Sequence, residues 1–175
     1  LPFSRSPLDK SNLIAYKQLK KVVESGEYDI VHCHTPIAAM LARLACRKVQ
    51  KKGTKVIYTA HGFHFYKGSP KLNWLLFYTT EKICSYFTDV LITINKEDYD
   101  LAKCKMKAKK VMYIPGVGID LSAFSPDKNV LSREEFKVPK ENRVLLSVGE
   151  LSKRKIHEIL IRAAAEIPNV TVLIA

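Results

Sequence analysis

The 175-residue sequence has little of what would place it in several common classes. It has no CxxC pair. Cys33, Cys46, Cys84 and Cys104 are scattered, two of them inside apolar patterns. That argues against a disulfide scaffold and for reduced, packing thiols. No apolar stretch reaches the roughly 18 residues that a membrane-spanning helix needs. The N-terminus lacks the basic-then-apolar layout of a signal peptide, so a cytoplasmic chain is the expectation. No internal repeat or low-complexity segment is present. Acidic residues are scarce, 17 against 29 Lys and Arg, which leaves a formal charge of +12. Such an excess fits nucleic acid, an anionic membrane surface or a phosphate-bearing substrate. No zinc-finger spacing and no basic region followed by heptads accompanies it, so a nucleic-acid module rests on charge alone. The lysines are spread along helical stretches, as on solvated helix faces.

Apolar residues make up 47% of the chain, enough for a packed core and too many for disorder. They fall into alternating helical and strand patterns. Ser6, Pro7 and Asp9 read as the start of a helix, which Gly26 ends. "YDIVHCH" (28–34) reads as a strand, 38–53 as a helix and "KVIYTA" (55–60) as a strand. A long helix follows, marked by Leu72, Leu75, Leu76, Ile83 and Phe87. "DVLITI" (89–94), a helix near 95–105 and "KVMYIP" (110–115) complete the series. This alternation predicts a Rossmann-like α/β fold, with parallel strands and helices on both faces.

The composition changes after Phe124. A polar, proline-bearing stretch reads as a linker over 127–142, between a first domain, 1–126, and the start of a second, 143–175. The second opens with "VLLSVG" (144–149), a helix at about 153–167 and "VTVLIA" (170–175). Two strands cannot close a domain, so the chain is expected to be part of a longer protein.

Open parallel sheets bind ligands beyond the C-terminal ends of their strands. Those ends carry His32, His34 and Thr35; His61, Gly62 and Phe63; Thr93 and Asn95; and "PGVGID", with Gly116, Gly118 and Asp120. Three readings of the histidines remain open. His32, His34, His61 and His64 are a candidate zinc set for a metal-dependent hydrolase, although no acidic ligand stands beside them. Local packing is the competing reading, above all for His32 and His64, and a substrate pocket the third, above all for His61 at its strand end. "GVG" lacks the full dinucleotide fingerprint and serves either as a turn or as a close-approach loop. In "VGELSKRK", Gly149 ends a strand, and Lys153, Arg154 and Lys155 are placed at the start of a helix. Cations there oppose the helix dipole unless an anion shares the site, so a diphosphate is one reading and a solvated basic turn the other.

The stretches "YDIVHCHTP", "KVIYTAHGFHF", "DVLITINKED", "YIPGVGIDLSAF" and "LLSVGELSKRK" together resemble a bacterial family 4 glycosyltransferase of GT-B architecture, from the capsular and exopolysaccharide branch. The resemblance covers nearly the whole chain. It implies two Rossmann-like domains, the first on the acceptor side and the second binding a nucleotide sugar, expected to be UDP-linked. The implied reaction is hexosyl transfer with retention, without a cofactor or metal, to a lipid-linked saccharide. It also implies His61 at the reaction centre, with His34, Thr35, Gly62, Phe63, Asn95, Gly116, Gly118 and Asp120 as substrate-side residues. Gly149, Glu150, Arg154 and Lys155 match the donor-diphosphate loop, except that Glu150 stands where many members have arginine. No nucleic-acid partner is implied. The stretch covered is expected to be inactive alone, because most of the donor site is missing from it. "NWLLFYTTEKICSYF" and "AKCKMKAKK" are candidates for contact with the anionic inner face of the membrane. Core packing and solvation are the competing readings for these two stretches.

Overall fold

A computed structural model describes residues 1–4, 6–116, 118–124, 132–152 and 155–175. The chain divides into two compact units, Leu1–Gly118 and Ile119–Ala175. Short apolar runs form the strands of the first: β1 (Ile30–His34), β2 (Lys55–Ala60), β3 (Val90–Thr93) and β4 (Lys110–Tyr113). They make one parallel sheet in the order β1-β2-β3-β4, with His34 opposite Thr59 and Ala60 opposite Thr93. In the second unit β5 (Arg143–Ser147) pairs in parallel with β6 (Val170–Ile174).

The helices of the first unit are α1 (Ser11–Ser25), α2 (Pro36–Ala45), α3 (Arg47–Gln50), α4 (Lys71–Asn73), α5 (Thr79–Ser85) and α6 (Lys96–Lys105). A π turn, Trp74–Tyr78, joins α4 to α5. These helices pack on one face of the sheet, not on both as expected. Every strand residue in the two apolar cores, Val31, Cys33, Val56, Tyr58, Ala60, Leu91 and Val111, belongs to that face. The reason is topological. Right-handed crossovers along a strand order that never reverses place each helix on the same side. The other face carries His32, His34, Ile57, Thr59, Val90, Ile92 and Met112.

Local differences have local causes. Ser6 does not cap α1. Asn12 accepts from Ser4 N–H at 2.9 Å and donates to the Ser6 carbonyl at 2.7 Å, tying Ser4 and Ser6 to the first turn of the helix. Asp9 accepts from Ser11 N–H instead. The long helix forms as the sequence implies, but a π turn decides which of its faces is buried. Around the π turn Trp74, Phe77 and Tyr78 face the core, while Leu72, Leu75, Leu76 and Ile83 are exposed. Phe65 fixes this orientation through edge contacts to Trp74 and Tyr78, both at 5.5 Å. In the second unit α7 spans His157–Ala165, starting later than expected because Ile156 takes a left-handed conformation at φ 57°.

Cys33, Cys46 and Cys84 are buried free thiols, as the sequence implies. Burial pushes the Cys33 thiol up to about 12 and Cys46 up to about 11. Asp89 pins the start of β3 to β2, accepting from Val56 N–H at 2.8 Å, Gln50 at 2.9 Å and Lys109 at 2.7 Å. Burial disfavours its charge, but these partners outweigh it and hold the carboxyl below its ordinary value. A lowered folded-state pKa contributes stability above the unfolded value, about 3.9, which is lost as pH falls through the folded value. Asp89→Asn should therefore flatten the acid limb of the stability profile below about pH 4, measured by urea unfolding at stepped pH. An unchanged acid limb would show that Asp89 contributes nothing to it.

Candidate active site

The C-terminal edge of the first sheet gathers the expected residues of the first unit. Parallel pairing sets His34 beside Thr59, and His61 lies two residues beyond Thr59 on the strand's continuation. That brings the His34 Nδ1 within 3.0 Å of the His61 Nε2. His32 stands behind them, its Nε2 2.9 Å from the Thr59 hydroxyl and its ring 4.3 Å from that of His34. Partial desolvation, and then the neighbouring His34, lower the His32 pKa.

Two neutral imidazoles share one proton across such a contact, so one ring donates and the other accepts. The contact leaves Nδ1 of His61 and Nε2 of His34 available to a ligand, and both side chains are exposed. Thr35 follows His34 at φ 63° and ψ 138°, a strained conformation for a β-branched residue. Gly62 follows His61 at φ 147°, a backbone state that L side chains rarely adopt. Both strand ends therefore turn sharply just after their histidines.

Other candidates are engaged differently. Phe63 is buried and stacks on Phe65 at 4.7 Å. His64 is directed elsewhere, with its ring 4.9 Å from Phe77 and its carbonyl accepting from Asn73. Among the described residues no three His, Cys, Asp or Glu side chains cluster as a metal site, so the four-histidine zinc set does not assemble. Asn95 caps α6, accepting from Asp98 N–H at 2.8 Å and donating to the Asp98 carboxylate at 2.7 Å. Gly116 N–H bonds the Ile94 carbonyl at 3.2 Å, and Gly118 is exposed with open space around it. In the second unit Asp120 accepts from the hydroxyl and amide of Ser122, which lower its pKa.

The loop after β5 is shaped by Gly149. The side-chain carbons of Lys155 pass 3.2 Å from where a Cβ would stand, so a larger residue at 149 would make the lysine give by a few tenths of an ångström. Lys155 precedes α7 and is not in its first turn, so the dipole argument does not apply to it. Arg154, with Lys153, lies outside the described residues, and Glu150 is exposed. Sequence reasoning missed His157. Its Nε2 lies 3.3 Å from the Glu150 carbonyl and its Nδ1 3.0 Å from the Ser147 hydroxyl. A carbonyl only accepts, so Nε2 donates to it, and in a neutral ring Nδ1 would accept from the Ser147 hydroxyl. Asp98 was missed too, although the Asn95-x-x-Asp98 spacing resembles a helix-capping pair.

Comparison with known proteins identifies the family. The family described as "Glycosyl transferase 4-like" matches residues 2–95. The chain is 46% identical over 183 residues to "Putative glycosyltransferase EpsD" of Bacillus subtilis (strain 168), covering 100% of this chain and 48% of that protein. It is 31% identical over 150 residues to the "UDP-Gal:alpha-D-GlcNAc-diphosphoundecaprenol alpha-1,3-galactosyltransferase" of Escherichia coli, covering 83% of this chain and 37% of that protein. Among solved structures, "S. aureus MnaA-UDP co-structure" superimposes with a TM-score of 0.68 at 14% identity, covering 99% of this chain and 47% of that one. That likeness bears on the fold alone and agrees with parallel α/β units of the GT-B kind. The chain spans at most about half the length of these relatives. The match to residues 2–95 takes in β1, β2 and both histidines of the pair, and the chain belongs to the glycosyltransferase 4-like family.

Proposed function

We propose that the protein carrying this chain is a retaining glycosyltransferase of surface polysaccharide synthesis. It moves a hexosyl group from a UDP-linked sugar to a lipid-linked saccharide. The observation that carries this reading is the His34–His61 pair at the strand ends of a glycosyltransferase 4-like segment. His61 is assigned to the donor sugar, where its free Nδ1 hydrogen-bonds the reacting group during transfer. Lys155 is assigned to the leaving diphosphate, with Gly149 giving it room. Arg154 and Glu150 belong to the same loop in this reading. Positive charge does the work that a metal does elsewhere, so no metal is required.

A diphosphoundecaprenol-linked sugar, named for the Escherichia coli relative, supports a lipid-linked acceptor here. No helix among the described residues is long and apolar enough to cross a membrane. Contact with the inner face of the membrane is assigned to the exposed Leu72, Leu75, Leu76 and Ile83, flanked by Lys71 and Lys82.

The test uses a polypeptide of the relatives' full length that carries this chain. It is given radiolabelled UDP-hexoses and an undecaprenyl-diphosphate saccharide in vesicles with or without anionic lipid. Label is expected in the lipid fraction with the anomeric configuration retained, without added metal, and faster on anionic vesicles. No transfer from any UDP-hexose, or an inverted product, would overturn the reading. Indifference to anionic lipid would remove the membrane contact.

A further inference from the structure

We propose that Asp98 is a positioning residue for His61, acting through the backbone amide of Phe63. The inference rests on the reading that places His61 at the reaction centre. Asp98 lies in the first turn of α6 and is 4% exposed. Its Oδ2 accepts from Phe63 N–H at 3.0 Å and from the Asn95 amide at 2.7 Å. Its own N–H donates to Asn95 Oδ1 at 2.8 Å. Asn95 and Asp98 thus clasp each other, and the remaining capacity of Oδ2 is spent on the loop after β2.

The position of that bond matters. His61 leaves β2, Gly62 turns the chain at φ 147°, and Phe63 is the first residue beyond the turn. A glycine at the hinge offers no side chain to fix the turn, so its geometry depends on what holds either side. On one side the β2 ladder ends at Ala60, opposite Thr93. On the other, Asp98 holds Phe63, and Glu97 from the same helical turn takes Lys67 N–H more weakly at 3.4 Å. The imidazole itself is held by His34. Asp98 therefore closes the frame within which His61 meets its substrate.

The carboxylate is suited to this in two ways. One oxygen accepts two hydrogen bonds, and an ionised acceptor makes each roughly twice as strong as a neutral one. Asparagine keeps one carbonyl oxygen of similar reach but loses the charge. Alanine leaves the Phe63 amide without this partner.

The experiment measures kcat and sugar-nucleotide KM for Asp98→Ala, Asp98→Asn and His61→Ala in the relative-length polypeptide. It adds amide hydrogen exchange over residues 61–67. Asp98→Ala is expected to lower kcat about ten- to a hundredfold with KM within about twofold, since misplacing a reacting group by about 1 Å costs that order of rate. Asp98→Asn is expected between Asp98→Ala and the parent, and exchange should quicken at Phe63 in the same order. If His61→Ala is impaired but Asp98→Ala keeps its kcat, the positioning role is overturned. Loss of folded yield with unchanged kcat per folded molecule overturns it equally. Unchanged kcat in His61→Ala overturns the reading of His61 itself, whatever Asp98 does to the loop.

Discussion

Glu81→Ala is expected to destabilise the chain by about 3–5 kcal/mol, because it breaks a buried ion pair and strands its cation. Arg43 is 1% exposed, and Glu81 is its anionic partner, at 2.9 Å. The Arg43 Nε donates to the Ala39 carbonyl at 3.0 Å, and its guanidinium lies 4.2 Å over the Tyr58 ring. Tyr58 in turn donates to Glu81 at 3.3 Å. The pair sits among the apolar contacts between α2, α5 and β2, where water cannot take over for a missing carboxylate. Removing Glu81 leaves an uncompensated buried cation. Removing both charges, as Arg43→Met with Glu81→Leu, should recover most of the loss, because the desolvation cost disappears with the attraction. Urea unfolding followed by Trp74, the single tryptophan, which packs against the same core, checks both expectations. A cost below about 1 kcal/mol for Glu81→Ala would mean that the pair behaves as a solvated surface bridge.

The second large effect is on rate. His61→Ala in the relative-length polypeptide is expected to lower kcat by about 100- to 10,000-fold, the range typical of a positioned proton-transfer group. The donor KM should change little, because the interaction strengthens as the reaction proceeds. His34→Ala removes the partner that fixes the tautomer and orientation of His61 but leaves its ring in place. A smaller loss follows, on the order of tenfold, by analogy with a group that orients another. Initial rates with radiolabelled donor measure both. A His34→Ala enzyme with full kcat would show that the 3.0 Å contact orients nothing.

Much of the fold was legible because strands in a parallel sheet are short, apolar and bounded by glycine or polar turns. β2 lies at 55–60 as the sequence implies, since Gly53 precedes it and the apolar run ends at His61. The site edge was legible for a topological reason: C-terminal strand ends of a parallel sheet share one side. The pairing of the histidines was not. His61 and His64 are neighbours in sequence, yet His61 meets His34, 27 residues earlier, because the β1–β2 register is set by long-range contacts. Which face of 72–83 is buried was not legible, because a π turn shifts the helical phase, which a regular 3.6-residue pattern cannot anticipate. Helices on one face followed from strand order, which local patterning does not contain. The late start of α7 depends on a left-handed isoleucine that no propensity favours.

The central claim, that His61 acts at the reaction centre while its sequence neighbour His64 does not, has a direct test. Transfer rates of His61→Ala and His64→Ala are compared side by side at saturating sugar nucleotide in the relative-length polypeptide. His64 packs on Phe77 and holds Asn73 through its carbonyl, so its ring is expected to matter within about threefold in kcat, as for a side chain away from the reacting atoms. His61→Ala should fall at least about 100-fold below the parent. Equal losses in the two variants would contradict the assignment.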